Sequence, residues 1–276
     1  HGTMSVVWSP FAGLVLAALA LGAPGSVFGA EDGAVVDVEL VLAVDVSSSM
    51  TADELALQRQ GYITALRSPE VLRAIGTGRH GRVALTYVEW GASNSRRVVV
   101  PWTLIDGPAR AERVATLLEQ APVRNLFQTS ISGAIRHSMR AFAESGYRGV
   151  RRIIDISGDG PNNQGGMVSA WRDIAVENGI TINGLPIILE GRAFGDETIA
   201  LLEDYYSHCV IGGPRAFLLP VRGWDQFAEA VRRKLVLELS HHAVPVHTVA
   251  QLAGADGGSG VDCLIGEKIW SGMEQE

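Results

Sequence analysis

Charge is missing from one end of this 276-residue chain: the first thirty residues contain no Asp, Glu, Lys or Arg, so the formal net charge of −7 is carried entirely by the rest. Long apolar runs are missing too. The block Phe11 to Ala23 (FAGLVLAALALGA) has thirteen residues, short of the roughly 20 that span a bilayer. Ending in small residues through Val27-Phe28-Gly29-Ala30, it reads as a secretory signal over residues 1–30, cleaved near Gly29 or Ala30. The competing reading is an uncleaved membrane anchor. Export would place the mature chain in the periplasm or outside the cell, with no membrane contact unless that segment is retained.

Basic clusters are absent as well. Lys and Arg are scattered among a larger number of Asp and Glu, which argues against nucleic acid as the main partner. Cysteine is scarce: Cys209 and Cys263 are the only two. An oxidising compartment would let them pair, worth at most about 4 kcal/mol through the entropy of the unfolded chain. Two separate thiols, with Cys209 buried as a small hydrophobe, is the alternative, and both stay open.

Several catalytic patterns are lacking. No Gly-x-Ser-x-Gly elbow marks a serine hydrolase. A haloacid-dehalogenase-like site would need Asp where Ser47 stands. The stretch Asp155-x-Ser157-x-Asp159-Gly160 imitates the start of an EF-hand loop, but its twelfth position is Gly166 instead of Glu. His80, His137 and His208 follow no recurring spacing, and His241, His242 and His247 read as a solvated segment.

What the chain does have is alternation. Val36 to Val44 is nearly continuous apolar sequence, interrupted by Asp37 and Glu39, and suits a central strand covered on both faces. Thr51 and Glu54 form a capping box for a helix with Leu55, Tyr62 and Leu66 inside. A second helical piece runs from Ser68-Pro69-Glu70 to Gly76. Val83–Trp90 and Val98–Leu104 read as strands joined by a short link, hence an antiparallel edge. Helices are expected over Arg110–Gln120, Ser130–Glu144, Val168–Asn178, Glu197–Tyr206 and Trp224–Leu239. Strands are expected over Ile153–Ile156, Ile180–Ile188 and Ala216–Val221. The pattern predicts one α/β domain over residues 31–240: a doubly wound, mostly parallel central sheet with one antiparallel edge strand and helices on both faces. Residues 241–276 read as a Gly-rich tail, with Val261–Trp270 docking back.

The first strand ends in Asp45-Val46-Ser47-Ser48-Ser49-Met50. Ligands of open parallel sheets sit beyond the carboxyl ends of strands, and Asp45, Ser47 and Ser49, spaced by two, can converge there. A carboxylate and two hydroxyls are hard ligands that suit Mg²⁺. Three donors do not fill an octahedron. Thr129, at the start of a helix, and Asp159, after the strand Ile153–Ile156, are the candidates to complete it. Thr129 could equally be a helix cap, with Ser130 as the ligand; Asp155 reads as a structural carboxylate. The loop Asn162 to Gly166 reads either as a ligand contact or as plain surface.

Asp-x-Ser-x-Ser, then Thr129, then Asp159-Gly160, resembles the metal-ion-dependent adhesion site (MIDAS) of von Willebrand factor A domains over about residues 36 to 240. Within that group, Asp159-Gly160-Pro161-Asn162-Asn163, Cys209-Val210-Ile211-Gly212-Gly213-Pro214 and Arg233-Lys234-Leu235 resemble an uncharacterised family of exported bacterial proteins. Gln128 departs from the pattern, standing where these domains commonly carry Gly. The resemblance implies direct metal contacts from Ser47, Ser49 and Thr129, and contacts through bound water from Asp45 and Asp159. It implies Mg²⁺, with Mn²⁺ or Ca²⁺ as alternatives, and a partner protein whose acidic residue completes the shell. The expectation is therefore a binding module and not an enzyme; the alternative is a Mg²⁺-dependent enzyme or enzyme-complex subunit acting on a phosphate or carboxylate.

Overall fold

A computed structural model of the chain describes residues 1–3, 33–188, 196–240 and 260–273. The expected signal segment, but for its first three residues, and the three tail histidines lie outside the described residues.

Strand β1, Ala34–Asp45, is buried at every position from Val36 onward. It lies between β2 (Val83–Trp90) and β4 (Tyr147–Gly158) and runs parallel to both. A fifth strand, β5 (Ile180–Pro186), extends the sheet in parallel beyond β4, and β3 (Arg96–Ile105) closes the other side antiparallel to β2. The order is β3-β2-β1-β4-β5, with β1 central, as its continuous apolar sequence requires.

Successive side chains of β1 point to opposite faces and feed two separate cores. Val38, Leu40, Leu42 and Val44 pack with Tyr62 and Leu66 of α1 (Ala52–Arg67), Val71 of α2 (Pro69–Gly76), Val114 and Leu118 of α3 (Pro108–Gln120), and Leu235 of α7 (Phe227–Leu239). Val41 and Ala43 pack with Ile131 and Ile135 of α4 (Ile131–Ala143), Val168 of α5 (Val168–Glu177) and Tyr205 of α6 (Asp196–Tyr205). The doubly wound sheet with one antiparallel edge strand is thus the observed architecture.

The helix that follows the Asp45 turn starts where the sequence signals. Thr51 Oγ1 accepts from the Glu54 N–H at 3.3 Å, and the Glu54 carboxylate accepts from the Thr51 N–H at 2.8 Å, a complete capping box. The buried acids at the start of β1 also have donors. Asp37 accepts from the N–H of His80 at 3.0 Å, and Glu39 accepts from the Ser145 hydroxyl at 2.5 Å and the Gly149 N–H at 2.7 Å.

Three expectations change. The strand expected at Ile153–Ile156 extends back to Tyr147, because Tyr147 to Arg152 alternates in exposure and still pairs with the opening half of β1. Residues 216–221 form no continuous strand: isolated bridges join Leu218 to Gly184 of β5 and Val221 to Ile187 just beyond it, with the Leu219 and Val221 N–H groups donating to the Gly184 and Pro186 carbonyls at 2.9 Å. Trp224–Gln226 is a 3₁₀ turn leading into α7.

Beyond residue 260 the chain forms helix α8 (Ile265–Met273). Cys263 is bonded to Cys209, so of the two cysteine readings the bridge holds. The Asn162 side-chain amide donates to Glu267 at 2.6 Å, and Trp270 meets Phe127 edge-on with ring centroids 5.9 Å apart. Among the described residues no helix is long and apolar enough to cross a membrane.

Candidate functional site

At the carboxyl end of β1 the backbone turns out of the sheet, and the turn is pinned from two sides. Gln58 of α1 donates its amide to the Asp45 carbonyl at 2.8 Å, and Asn125 donates to the carbonyls of Ser47 at 3.2 Å and Met50 at 2.9 Å. The Ser47 N–H folds back onto Asp45 Oδ1 at 2.8 Å. Ser47 Oγ lies 2.9 Å from Ser49 Oγ, and the Ser49 hydroxyl donates to Asp159 Oδ1 at 2.7 Å. Asp45, Ser47, Ser49 and Asp159 therefore form one continuous cluster of oxygens, although Asp159 is 110 residues from Ser49 in the sequence.

Thr129 reaches the same cleft from the loop before α4. Its N–H donates to Asn163 Oδ1 at 3.1 Å, and its carbonyl accepts from the Asn163 N–H at 2.9 Å. Ser130 is occupied otherwise: its hydroxyl donates to the Gln164 carbonyl at 2.8 Å and accepts from the Gly133 N–H at 3.1 Å as the cap of α4. Between the two candidates, Thr129 is the one that lines the cleft with Ser48, Ser49 and Asp159. Gln128, standing where related domains carry Gly, adopts a left-handed φ of 65°. That backbone costs a non-glycine residue about 1–2 kcal/mol, and the Gln164 side chain offsets part of it by donating to Gln128 Oε1 at 3.0 Å.

Burial makes the cluster electrostatically unfinished. Asp45 is fully buried, and its Oδ2 has no hydrogen-bond partner among the described residues. Its carboxyl is pushed well above the usual carboxylate range, first by burial and then by the neighbouring charge of Asp159. Two acids, three hydroxyls and an unsatisfied buried oxygen fit a small hard divalent cation. Among the described residues no group of three or more His, Cys, Asp or Glu side chains could hold a metal ion, so a cation here would depend on the hydroxyls as well as the two acids.

Some site residues escape a reading of the sequence. Asn162 is fully buried and is not part of a plain surface loop: its Oδ1 accepts from the Ser132 N–H at 2.9 Å and its Nδ2 donates to the Gly166 carbonyl at 3.1 Å. It and Asn163 clamp the Asp159 loop to the Thr129 loop. Tyr206, three residues before Cys209, is fully buried with its hydroxyl close to Asp45. A Cβ added at Gly158 would come within 2.8 Å of that hydroxyl and 2.9 Å of Asp45 Oδ2. Gly158 is therefore small because two polar groups crowd it. Asp155 belongs elsewhere, paired with Lys234 at 2.7 Å on the opposite face of β4.

A doubly wound sheet with this cluster at its strand ends has the fold of von Willebrand factor A domains. Solved structures of the same fold include proximal thread matrix protein 1 from the mussel byssus with a zinc-occupied MIDAS motif, at 16% identity and a TM-score of 0.53, covering 75% of this chain and 48% of that one. A von Willebrand factor type A structure from Catenulispora acidiphila matches at 13% identity and a TM-score of 0.52, covering 74% and 43%. The pilus adhesin SpaC from Lactobacillus rhamnosus GG, in its open conformation, matches at 13% identity and a TM-score of 0.52, covering 74% and 30%. The chain spans less than half the length of each of these. Over residues 35–243 it matches the family described as protein of unknown function, DUF1194, and it belongs to that family. No curated protein matches the sequence.

Proposed function

We propose that this protein is an exported binding module in which Ser47, Ser49 and Thr129 hold a divalent cation directly, Asp45 and Asp159 hold it largely through water, and an acidic residue of a partner protein completes the shell. Mg²⁺ is the expected ion, with Mn²⁺ or Ca²⁺ as alternatives. The observation that carries the reading is the buried Asp45 Oδ2, left without a hydrogen bond beside a second carboxylate. An ionised carboxylate in that position costs several kcal/mol unless a positive charge joins it, and otherwise it keeps its proton.

The donor set favours binding. Two carboxylates balance a divalent charge, and neutral hydroxyls leave it unquenched. When bound, such an ion supplies a Lewis-acidic position for an incoming carboxylate. Ser47 and Ser49 orient that position, and the Asn162–Asn163 clamp fixes Thr129 against it. The enzyme alternative would want a general base beside the ligand. Of the described residues lining the cleft none is His, Lys or Glu, and its one carboxylate is Asp159, with Glu267 held by Asn162 behind the wall. The adhesin and matrix proteins that share the fold are in line with binding. The Cys209–Cys263 bridge supports an oxidising compartment, hence export.

Mg²⁺ titration by calorimetry on the full chain tests the reading. Saturable one-to-one binding is expected, lost in Asp45→Ala and weakened in Thr129→Ala. Absence of binding at millimolar Mg²⁺, with or without added acetate, sinks it.

A further inference from the structure

The cleft over the oxygen cluster has a second wall that the cation reading does not use. Ser48, Ser49, Thr129 and Asp159 form its polar side; Gly266, Ile269 and Trp270 of α8 form the other, with Pro161 between them. Its volume is about 230 Å³, where one water needs only about 10–15 Å³ on the same measure. A carboxylate on the cation would leave most of it open.

The rest of the lining is mixed, with Gln128 and Asn163 on the polar side and Pro161, Ile269 and Trp270 supplying the apolar surface. Phe127, two residues before Thr129, is 63% exposed and meets Trp270 edge-on. A large aromatic left in water at the rim of a polar centre is the usual make-up of an interface anchor. Wall and rim are also held in place. Helix α8 lies outside the 35–243 family match, and Cys263 fastens its approach to Cys209 under the site. Glu267 ties its first turn to Asn162, the residue that clamps the Asp159 loop. A Cβ on Gly266 would come within 2.1 Å of the Asn162 carbonyl, so the helix rests directly on the loop.

We propose that this cleft is a two-part peptide subsite: the cation position takes an Asp or Glu of the partner, and the shelf of Phe127, Ile269 and Trp270 takes a bulky aliphatic side chain next to it. The proposal rests on the cation reading and adds the chemistry of the partner. Charge complementarity fixes one end of the peptide and the aromatic shelf the other. Ile269 and Trp270 of that surface come from the disulfide-tethered segment outside residues 35–243, and Phe127 lies within them.

The test uses the full chain with saturating Mg²⁺ and two blocked tripeptides, Ala-Asp-Leu and Ala-Asp-Ala, followed by calorimetry. The leucine peptide is expected to bind about tenfold tighter, as burial of one aliphatic side chain gives. Phe127→Ala and Trp270→Ala should each close most of that gap while Mg²⁺ affinity stays as in the wild type. Phe127 is exposed enough for its variant to fold, so the outcome does not hang on Trp270→Ala. Equal affinity for the two peptides, or a gap that survives both substitutions, overturns the proposal while leaving the cation reading intact. Failure to bind Mg²⁺ at all removes both. Concentration-dependent dimerisation lost in Trp270→Ala would assign the shelf to a second copy of the chain and overturn the peptide assignment.

Discussion

Strands β1 and β4 each bury an acid that sits beside another, and the two pairs differ in what neutralises them. Within β4, Asp155 shares a fully buried pocket with Glu238 of α7, and Lys234 reaches both at 2.7 and 2.5 Å. Asn183 adds a hydrogen bond to Glu238 at 2.8 Å. Two carboxyls share one ammonium, so a proton stays behind: burial and the charge of Asp155 push Glu238 up to about 7. At the end of β1, Asp45 faces Asp159 across two hydroxyls, and the charged neighbour acting on it is another acid. The pair that holds its own ammonium is buried scaffold, whereas at the end of β1 Asp45 is buried and Asp159 is half-exposed and lines the cleft.

Breaking the first cluster should have the largest effect. Lys234→Met leaves Asp155 and Glu238 buried without their ammonium and should cost about 3–5 kcal/mol in urea unfolding. Adding Asp155→Asn to that variant should recover part of the loss.

The pH dependence of the same cluster comes next. The unfolded chain releases the Glu238 proton near the ordinary value of 4.5, whereas the folded protein keeps it to about 7. The folded state therefore binds more protons in that window, and the contribution of Glu238 to stability falls as pH rises from about 4.5 to 7, by up to about 3 kcal/mol. Glu238→Gln should flatten that part of the stability profile measured by denaturant titration.

Binding of the proposed cation to the second cluster should show itself as added stability. Mg²⁺ at a hundred times its dissociation constant should stabilise the wild type by about 2.7 kcal/mol, read as a rise in melting temperature. Asp45→Asn should abolish that rise and lose little stability without Mg²⁺, since it removes a buried repulsion.

The smallest effect separates the cap from the site. Thr51→Ala should cost about 1 kcal/mol of stability and leave the Mg²⁺-induced shift unchanged. A reduced shift would mean that the Asp45 turn depends on its helix cap.

Local sequence made much of this legible. The apolar run of β1 could only be a strand covered on both faces, and Thr51 with Glu54 announced the helix that follows. Asp45, Ser47 and Ser49 were visible because a spacing of two is read within one turn. Thr129 and Asp159 came into view as polar residues at a helix start and after a strand, and the family resemblance then joined them to the Asp45 turn. Residues 216–221 misled because apolar composition suits a strand, while the structure joins them to the β5 segment only by isolated bridges. Asn162 and Lys234 were legible only as motif letters, and Tyr206 only as the end of a helix: the partner of Asn162 lies on another element, 30 residues away at Ser132.

By itself the sequence determined the order of strands and helices, the two-faced central strand and the hard-ligand turn at its end, because periodicity and capping act over a few residues. The tertiary structure alone decided that Thr129 and not Ser130 lines the cleft, that Asp155 pairs with Lys234 while Asp45 sits beside Asp159, and that α8 walls the site. These depend on which groups burial brings within hydrogen-bonding distance, and the cost of burying a charge is set by neighbours that local sequence does not name.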